Sequence, residues 1–136
     1  MSRLPPSRKK ERVRLPRRVR PIQGGACWNC AHAVQDGWVL PIRRRGRAYV
    51  GVGRFCGPEC AKRDALDRMG ARGLECCAMV AELVRMSAGP TARCKTAPPF
   101  MALDTFGGPL SYEEYIEGRC EVVQPHVTVE YMMVVD

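Results

Sequence analysis

The sequence has few of the side chains and segments on which enzymes and membrane proteins depend. Only two of its 136 residues are histidines, His32 and His126, and its carboxylates are scattered. There is no Ser/His/Asp constellation, no phosphate-binding loop and no metal site with an open position, so the sequence predicts a protein that is not an enzyme. No apolar run is long enough to cross a bilayer, and the N-terminus lacks the apolar centre of a signal peptide. We therefore predict a soluble, intracellular protein that does not bind membranes.

Excess positive charge is confined to the beginning of the chain. Residues 1–22 contain nine of the 22 Lys and Arg residues and one of the 14 acidic residues, so this segment accounts for the whole net charge of +8. Because it has several prolines and no aromatic residue, it cannot bury enough apolar surface to offset chain entropy, and we predict a disordered basic arm. Such an arm attracts nucleic acid, although a solubilising arm or a nuclear-import signal is an alternative. Its predicted nucleic-acid contacts are Arg8, Lys9, Lys10, Arg17 and Arg18.

Eight cysteines are present, and four of them form two close pairs. Cys27 and Cys30 form the first pair, and Cys56 and Cys60 form the second. Four thiolates in a tetrahedron are the ligands that a structural Zn²⁺ prefers, and they leave no position for water or substrate. We therefore predict one structural zinc ion held by these four residues. A disulfide framework is the alternative, but it does not suit an intracellular chain without a signal peptide.

Other potential ligands fit this centre less well. His32 lies close to Cys30, but four thiolates already complete a tetrahedron, which favours an outer or surface position for the imidazole. Neighbouring cysteines on a helix point about 100° apart and are poor joint ligands, and a buried free cysteine packs as a small apolar residue. A second zinc site is therefore disfavoured for the remaining four cysteines, which are Cys76, Cys77, Cys94 and Cys120.

Two strand-like runs, residues 38–42 and 48–52, flank a glycine-containing turn and predict a β-hairpin. Pro41 lacks an amide donor, so the first strand should be an edge or carry a bulge there. Four arginines on the turn repel one another unless a polyanion or an acidic surface receives them, which predicts a nucleic-acid contact, with a solvated turn as the alternative. These arginines are Arg43, Arg44, Arg45 and Arg47. The nearby aromatic residues can stack on bases, but in so small a domain they are expected to complete the core. They are Trp28, Trp38 and Tyr49.

Helical signals follow the second cysteine pair. Pro58 suits a first helical turn and Glu59 suits the positive end of a helix dipole, so a helix should begin here and end at Gly70. Apolar residues around much of the circumference predict a second, largely buried helix over residues 74–87. They are Leu74, Cys77, Val80, Ala81, Leu83 and Val84. A capping box that starts at Ser111 predicts a short third helix.

A close cysteine pair, a hairpin and a second pair at a helix start form the arrangement of a treble-clef zinc finger, in which the helix N-terminus faces two anionic sulfurs. The predicted fold class is a small α+β zinc-binding domain: a treble-clef finger followed by a second helix and an irregular C-terminal segment. The predicted parts are the basic arm over residues 1–22, the finger over residues 23–70, a helical extension over residues 71–118 and a strand-like tail over residues 119–136. The extension contains Phe106-Gly107-Gly108, predicted to form a positive-φ turn anchored by a buried phenylalanine. No partner strand is predicted for the tail.

Two blocks of sequence occur in a fixed order. The first is Cys27-Trp28-x-Cys30-x-His32, then Leu40-Pro41, then Gly53-x-Phe55-Cys56-x-x-x-Cys60-Ala61. The second is Ala97-Pro98-Pro99, then Leu103, then Phe106-Gly107-Gly108-Pro109-Leu110-Ser111-x-Glu113-Glu114-Tyr115. Together they resemble the FCS-type finger and following segment of the poxvirus late transcription factor 2-like proteins of nucleocytoplasmic large DNA viruses. Asn29 and Ala31 depart from that pattern, as does Ile116, which stands where the family has arginine.

The resemblance implies a virus-encoded zinc protein that assists late-gene transcription with the viral RNA polymerase or other late transcription factors. It is then expected to contact DNA or RNA through basic residues with little sequence specificity. The implied location is the infected host cell, at the viral factory in cytoplasm or nucleus, and association with the virion stays open. Cellular MYM and FCS fingers share the Phe-Cys-x-x-x-Cys ending. The alternative function is therefore a zinc-stabilised protein–protein interaction adaptor with a basic targeting arm.

Overall fold

The computed structural model describes residues 25–34, 37–46, 48–122, 124–125 and 127–129. The basic arm predicted over residues 1–22 lies outside this range, as do Arg47 and His126. The predicted nucleic-acid contacts outside the described residues are therefore Arg8, Lys9, Lys10, Arg17, Arg18 and Arg47. The described part is a small α+β structure built from a β-hairpin, two packed helices and an irregular segment with one short helix.

The predicted hairpin is confirmed, and its strands are longer than predicted. Strand β1 (Trp38–Arg45) pairs antiparallel with strand β2 (Ala48–Phe55). The register shifts between Pro41 and Arg43, as expected for a residue that cannot donate to the ladder. A two-residue strand, β3 (Thr128–Val129), pairs parallel with the other side of β2. The C-terminal segment thus pairs with β2, a partner that the sequence did not predict.

The two main helices begin and end close to their predicted limits. Helix α1 (Pro58–Arg68) starts with a proline in its first turn, where the missing amide is not needed. A single turn of 3₁₀-helix (Gly70–Arg72) connects it to helix α2 (Gly73–Ala88). The helices pack against each other and against β1. The second cysteine pair is therefore held at the junction of β2 and α1.

Helix α2 buries one face rather than most of its circumference. Its buried residues are Gly73, Cys76, Met79, Val80, Leu83 and Val84. The prediction that Leu74 is buried is wrong, because its side chain is 76% exposed. Leu74 precedes Cys76 by two positions, which places it about 200° around the helix from that buried residue.

The segment between α2 and the short helix α3 (Tyr112–Tyr115) forms a defined turn. Gly107 has a φ of 91°, in the left-handed region, as the glycine pair predicts. Phe106 is only half-buried and packs its ring edge-on against Phe100, 5.1 Å away, so the prediction of a fully buried anchor is wrong. The fully buried anchor of this segment is Leu103, which forms an isolated parallel β-bridge with Leu110 through the backbone of its two neighbours, Ala102 and Asp104.

The predicted capping box is confirmed at the start of α3. The Ser111 hydroxyl accepts from the Glu114 amide at 3.1 Å, and the Glu114 carboxylate accepts from the Ser111 amide at 2.8 Å. This cap fixes the direction of α3, which carries Tyr115 into the core with a side chain only 1% exposed. The core is continuous from the hairpin through both long helices to this tyrosine.

Candidate metal centre

The first cysteine pair lies in a tight turn ahead of the hairpin. Cys27 and Cys30 are buried, and the amides of Asn29 and Cys30 point at Cys27 Sγ from 3.4 and 3.5 Å. The Trp28 amide donates to the Arg54 carbonyl at 2.8 Å, which ties the turn to β2. Backbone dipoles aimed at sulfur stabilise a thiolate, so this turn is built to present anionic ligands.

The second pair comes from the end of β2 and the beginning of α1. Cys56 follows the last residue of the strand, and Cys60 lies in the first turn of the helix. The positive end of the helix dipole therefore lies beside both sulfurs. Residues from three local structures, a turn, a strand end and a helix start, meet at this point.

The four sulfur atoms lie within 4.8 Å of one another, close enough to hold a metal ion. Cys30 Sγ and Cys56 Sγ are 3.7 Å apart, and Cys56 Sγ and Cys60 Sγ are 3.6 Å apart. Four sulfurs at about 2.3 Å from a tetrahedral zinc ion lie ~3.8 Å from one another. The sulfur donors and their spacing therefore fit a tetrahedral, thiolate-bound ion, and the predicted gathering of these cysteines is confirmed.

The thiols of the cluster differ in acidity. Hydrogen bonds from Cys27, Cys30 and Cys60 lower the pKa of the Cys56 thiol, and the charge of Arg119 lowers it further. Burial raises the pKa of the Cys27 thiol well above its usual range. Arg119 Nη2 approaches Cys56 Sγ to 3.0 Å, which places a positive charge beside this sulfur. Because a metal ion binds thiolates, its binding displaces the protons of these thiols.

The segment after α2 closes over this cluster. Asn29 is 2% exposed, and its side-chain amide donates to Cys60 Sγ at 3.2 Å and to the Tyr115 hydroxyl at 2.9 Å. The Tyr115 hydroxyl in turn donates to the Pro98 carbonyl at 2.6 Å. Sequence reasoning missed Asn29, Tyr115 and Arg119 as partners of the cysteines. The one signal for Tyr115 was its place in the second sequence block.

His32 lies beside the cluster but is not among its ligand atoms. Its Nδ1 is 3.3 Å from the Cys30 carbonyl, and its ring stacks on Tyr112 with centroids 3.7 Å apart. The imidazole thus joins the first cysteine turn to α3.

Three of the arginines at the hairpin end, Arg43, Arg44 and Arg45, lie on the exposed end of β1. Arg44 forms an ion pair with Glu82 of α2 and lies over the Tyr49 ring, 5.2 Å from its centroid. Its charge is therefore partly neutralised within the protein.

The aromatic residues near the hairpin belong to the core, as expected. Trp38 and Tyr49 are buried, and Trp28 packs edge-on against Phe55 with centroids 6.1 Å apart. Arg68 lies over the Trp28 ring at 4.9 Å. Trp28 is partly buried, and the Arg68 guanidinium covers one face of its ring.

The four remaining cysteines are divided between two places. Cys76 is fully buried in α2, where burial raises the pKa of its thiol to about 11, and Cys77 donates to the Lys62 carbonyl at 3.5 Å. Neither belongs to a group of potential metal ligands in the part of the chain that the structure describes. Cys94 and Cys120 lie together, beside α1.

No protein-family model, curated protein or solved structure matches this chain. The class that the fold and site define is a small α+β protein with a four-cysteine cluster that can bind a metal ion. Within the described ranges, no helix has both the length and the apolar surface needed to cross a bilayer.

Proposed function

We propose that this protein is a zinc-stabilised accessory factor of viral late transcription, which acts with the viral RNA polymerase and contacts nucleic acid through basic residues. The cysteine cluster is the structural zinc centre of a treble-clef finger in this proposal. The observation that carries the proposal is that the two sequence blocks resembling the late transcription factor 2-like proteins meet at that cluster.

The contact between the two blocks is specific. Asn29 lies between the first pair of cysteines and donates to Tyr115, the last residue of the second block, at 2.9 Å. The Ala97 amide, at the beginning of the second block, donates to the Glu59 carbonyl at 3.1 Å. If either block resembled the family only by chance, there would be no reason to expect the two blocks to pack against each other. Their contact therefore supports the resemblance of the whole unit, and with it the function that the resemblance implies.

Zinc is the ion that the donor set favours. All four donors are sulfur, and thiolates in a tetrahedron select soft, tetrahedral ions, of which zinc has no redox chemistry. With four protein ligands the ion has no open position, so its role is to hold the turn, the strand end and the helix together. This supports a binding protein rather than an enzyme.

Nucleic-acid contact rests on the distribution of charge. The segment over residues 1–22 carries the net charge of the chain, and Arg43 and Arg45 lie exposed at the end of β1. Contacts of guanidinium and ammonium groups with phosphate give strong, salt-dependent binding that is independent of sequence. The finger is then the rigid platform that presents these charges.

The proposal is tested by purifying a tagged full-length chain from infected cells and identifying the proteins that accompany it. We expect viral RNA polymerase subunits with the wild-type chain and with Cys77→Ser, which alters a cysteine outside the cluster. Cys56→Ser should lose them, because the platform depends on the ion. If folded, zinc-loaded protein brings down no polymerase subunit, the transcription proposal is wrong.

The adaptor function is the second candidate, favoured by a groove between the hairpin and α2. The groove has a volume of about 470 Å³, and Met86 on its wall is 63% exposed. Its lining residues are Arg44, Tyr49, Glu82, Arg85, Met86 and Pro90. Recovery of other proteins without polymerase, and loss of those proteins in Met86→Asp, would support the adaptor.

A further inference from the structure

A second group of potential metal ligands lies next to the first. One sulfur each from Cys94 and Cys120 and a carboxylate oxygen of Glu59 are all within 4.8 Å of one another. The three residues come from separate parts of the chain: the first turn of α1, the segment after α2 and the segment after α3. Their convergence is therefore a property of the fold and not of a local motif.

Glu59 is unusual because it is a buried carboxylate with an unused oxygen. The residue is 4% exposed. Its Oε2 accepts from the Cys120 amide at 2.6 Å, whereas the buried Oε1 has no hydrogen-bond partner among the described residues. A buried carboxylate without a full set of partners is costly unless a cation compensates it. The four-cysteine centre does not provide that compensation.

Lys62 and Arg119 lie near this group, but their hydrogen bonds go to acceptors other than the Glu59 carboxylate. Lys62 Nζ donates to the Cys94 carbonyl at 2.7 Å, and Arg119 Nη2 lies on Cys56 Sγ at 3.0 Å. These contacts fix the backbone on both sides of the group without giving Glu59 Oε1 a partner. A carboxylate oxygen of Glu59 lies within 4.8 Å of both sulfurs, so the carboxylate and the two thiols converge on one place.

Both thiols make weak hydrogen bonds to backbone carbonyls that an ion can replace. Cys94 Sγ donates to the Lys95 carbonyl at 3.3 Å, and Cys120 Sγ donates to the Arg93 carbonyl at 3.4 Å. Both cysteines are half-buried, so an ion can reach the sulfurs from solvent. Two thiolates and one carboxylate are donors that zinc accepts, with water in the fourth position.

We propose that Glu59, Cys94 and Cys120 form a second Zn²⁺ site, weaker than the four-cysteine centre because it has three protein ligands instead of four. The two sites share the first turn of α1, since Glu59 and Cys60 are adjacent in sequence. They also share the segment after α3, since Arg119, which contacts Cys56 Sγ, is followed by Cys120. An ion at the second site would fasten residues 93–95 and residue 120 to α1.

The test uses reduced, full-length protein titrated with Zn²⁺ and followed by native mass spectrometry. We expect two ions per wild-type chain and one in the double variant Cys94→Ser/Cys120→Ser. Cys77→Ser is the matched control, because it removes a half-buried thiol outside both groups and should leave both ions bound. Titration with Co²⁺ identifies which site is filled, since four thiolates give stronger charge-transfer absorption than two.

Glu59→Gln separates the carboxylate from the thiols. Glutamine retains an oxygen that accepts from the Cys120 amide, but it has no charge to bind the ion. The affinity for the second ion should therefore fall further than the ~10- to 100-fold that is typical when a partner outside the ligand shell is lost. The first ion should stay bound in this variant. If Cys94→Ser/Cys120→Ser proves unstable, Glu59→Gln and the single variant Cys120→Ser give the same readout.

Three results would overturn the proposal. One is a single ion per wild-type chain with zinc in excess, and another is two ions retained by Cys94→Ser/Cys120→Ser. The third is a Cys94–Cys120 disulfide, seen as a loss of two hydrogens in the intact mass, that forms in preference to metal binding under reducing buffer. Because the four-thiolate Co²⁺ signal is measured in every variant, failure of the second site is distinguishable from failure of the first.

Discussion

Asn29 connects the two halves of the structure through one side-chain amide. Its two N–H groups are directed at Cys60 Sγ and at the Tyr115 hydroxyl, residues separated by more than 50 positions in the chain. A neutral donor on a coordinated sulfur reduces its charge without competing for the ion. At the residue scale, the candidate metal centre is therefore contacted by a side chain that is not one of its four potential ligands.

Asn29→Ala should weaken zinc binding by ~10- to 100-fold, the usual cost of losing an outer partner of a metal ligand. Asn29→Asp should weaken it more, because a second negative charge then lies beside the thiolates. Competition with a chromophoric chelator measures both affinities. Equal affinities in wild type and Asn29→Ala would show that this contact does not support the centre.

Cys30→Ser and Cys56→Ser should lose the tightly bound ion and the fold. Structural zinc contributes on the order of 10 kcal/mol in small fingers, more than a core of this size is expected to supply. Metal analysis and near-ultraviolet circular dichroism measure the two losses, with Cys77→Ser as the folded control. A well-folded wild-type sample that contains no zinc would contradict the proposed centre.

At the scale of the element, local signals predicted the hairpin, both long helices and the capping box. Each of these depends on residues within a few positions of one another, such as Pro58 at the start of α1 or the Ser111–Glu114 pair. The gathering of the four cysteines was predictable for the same reason, because each pair is adjacent to an element boundary. Burial was less predictable: Leu74 is apolar, yet it lies opposite the stripe that meets α1 and β1.

The contacts that the sequence did not predict all join distant parts of the chain. Arg119 and Cys56 are 63 positions apart, and Asn29 and Tyr115 are 86 apart. The pairing of β3 with β2 is of the same kind. Such contacts depend on where the fold brings two segments together, and a single sequence does not record that placement.

Replacing Gly107 and replacing Gly108 should lower the stability of the domain by very different amounts. A Cβ on Gly108 would lie 2.2 Å from the Met101 carbonyl oxygen and the Ala102 carbonyl carbon, whereas a Cβ on Gly107 meets nothing within 4 Å. Gly108→Val should therefore destabilise the domain more than Gly107→Val, whose cost is the strain of a positive φ, about 1–3 kcal/mol. Urea unfolding of the zinc-loaded protein measures the difference.

Gly107→Asn is the matched control for this turn, because asparagine accepts the left-handed region better than valine. It should be nearly as stable as wild type, and zinc should stay bound in all three variants. If Gly108→Val is as stable as wild type, the second sequence block is not the rigid element that the structure describes.

At the scale of the whole molecule, the net positive charge belongs to residues 1–22 of the sequence, whereas the four clustered cysteines lie between residues 27 and 60. Deleting residues 1–22 should flatten the salt dependence of binding to DNA or RNA, because each phosphate contact contributes about −0.9 to the slope of log K against log salt. The double variant Arg43→Ala/Arg45→Ala in the full chain isolates the contribution of the hairpin end. Filter binding or fluorescence anisotropy at several salt concentrations measures both slopes. Unchanged slopes in both proteins would refute the nucleic-acid proposal.

The closure of the C-terminal segment over the cysteines has a consequence for the lifetime of the bound ion. During synthesis the four clustered cysteines leave the ribosome before the segment that covers them. In the folded protein Tyr112 of that segment stacks on His32, Tyr115 accepts a hydrogen bond from Asn29, and Arg119 contacts Cys56. An ion captured by the nascent chain is at first open to exchange with cellular thiols and other ions. In the zinc-bound protein that we propose, we expect completion of this segment to slow dissociation of the ion, so that the metal is selected before the segment that retains it is made.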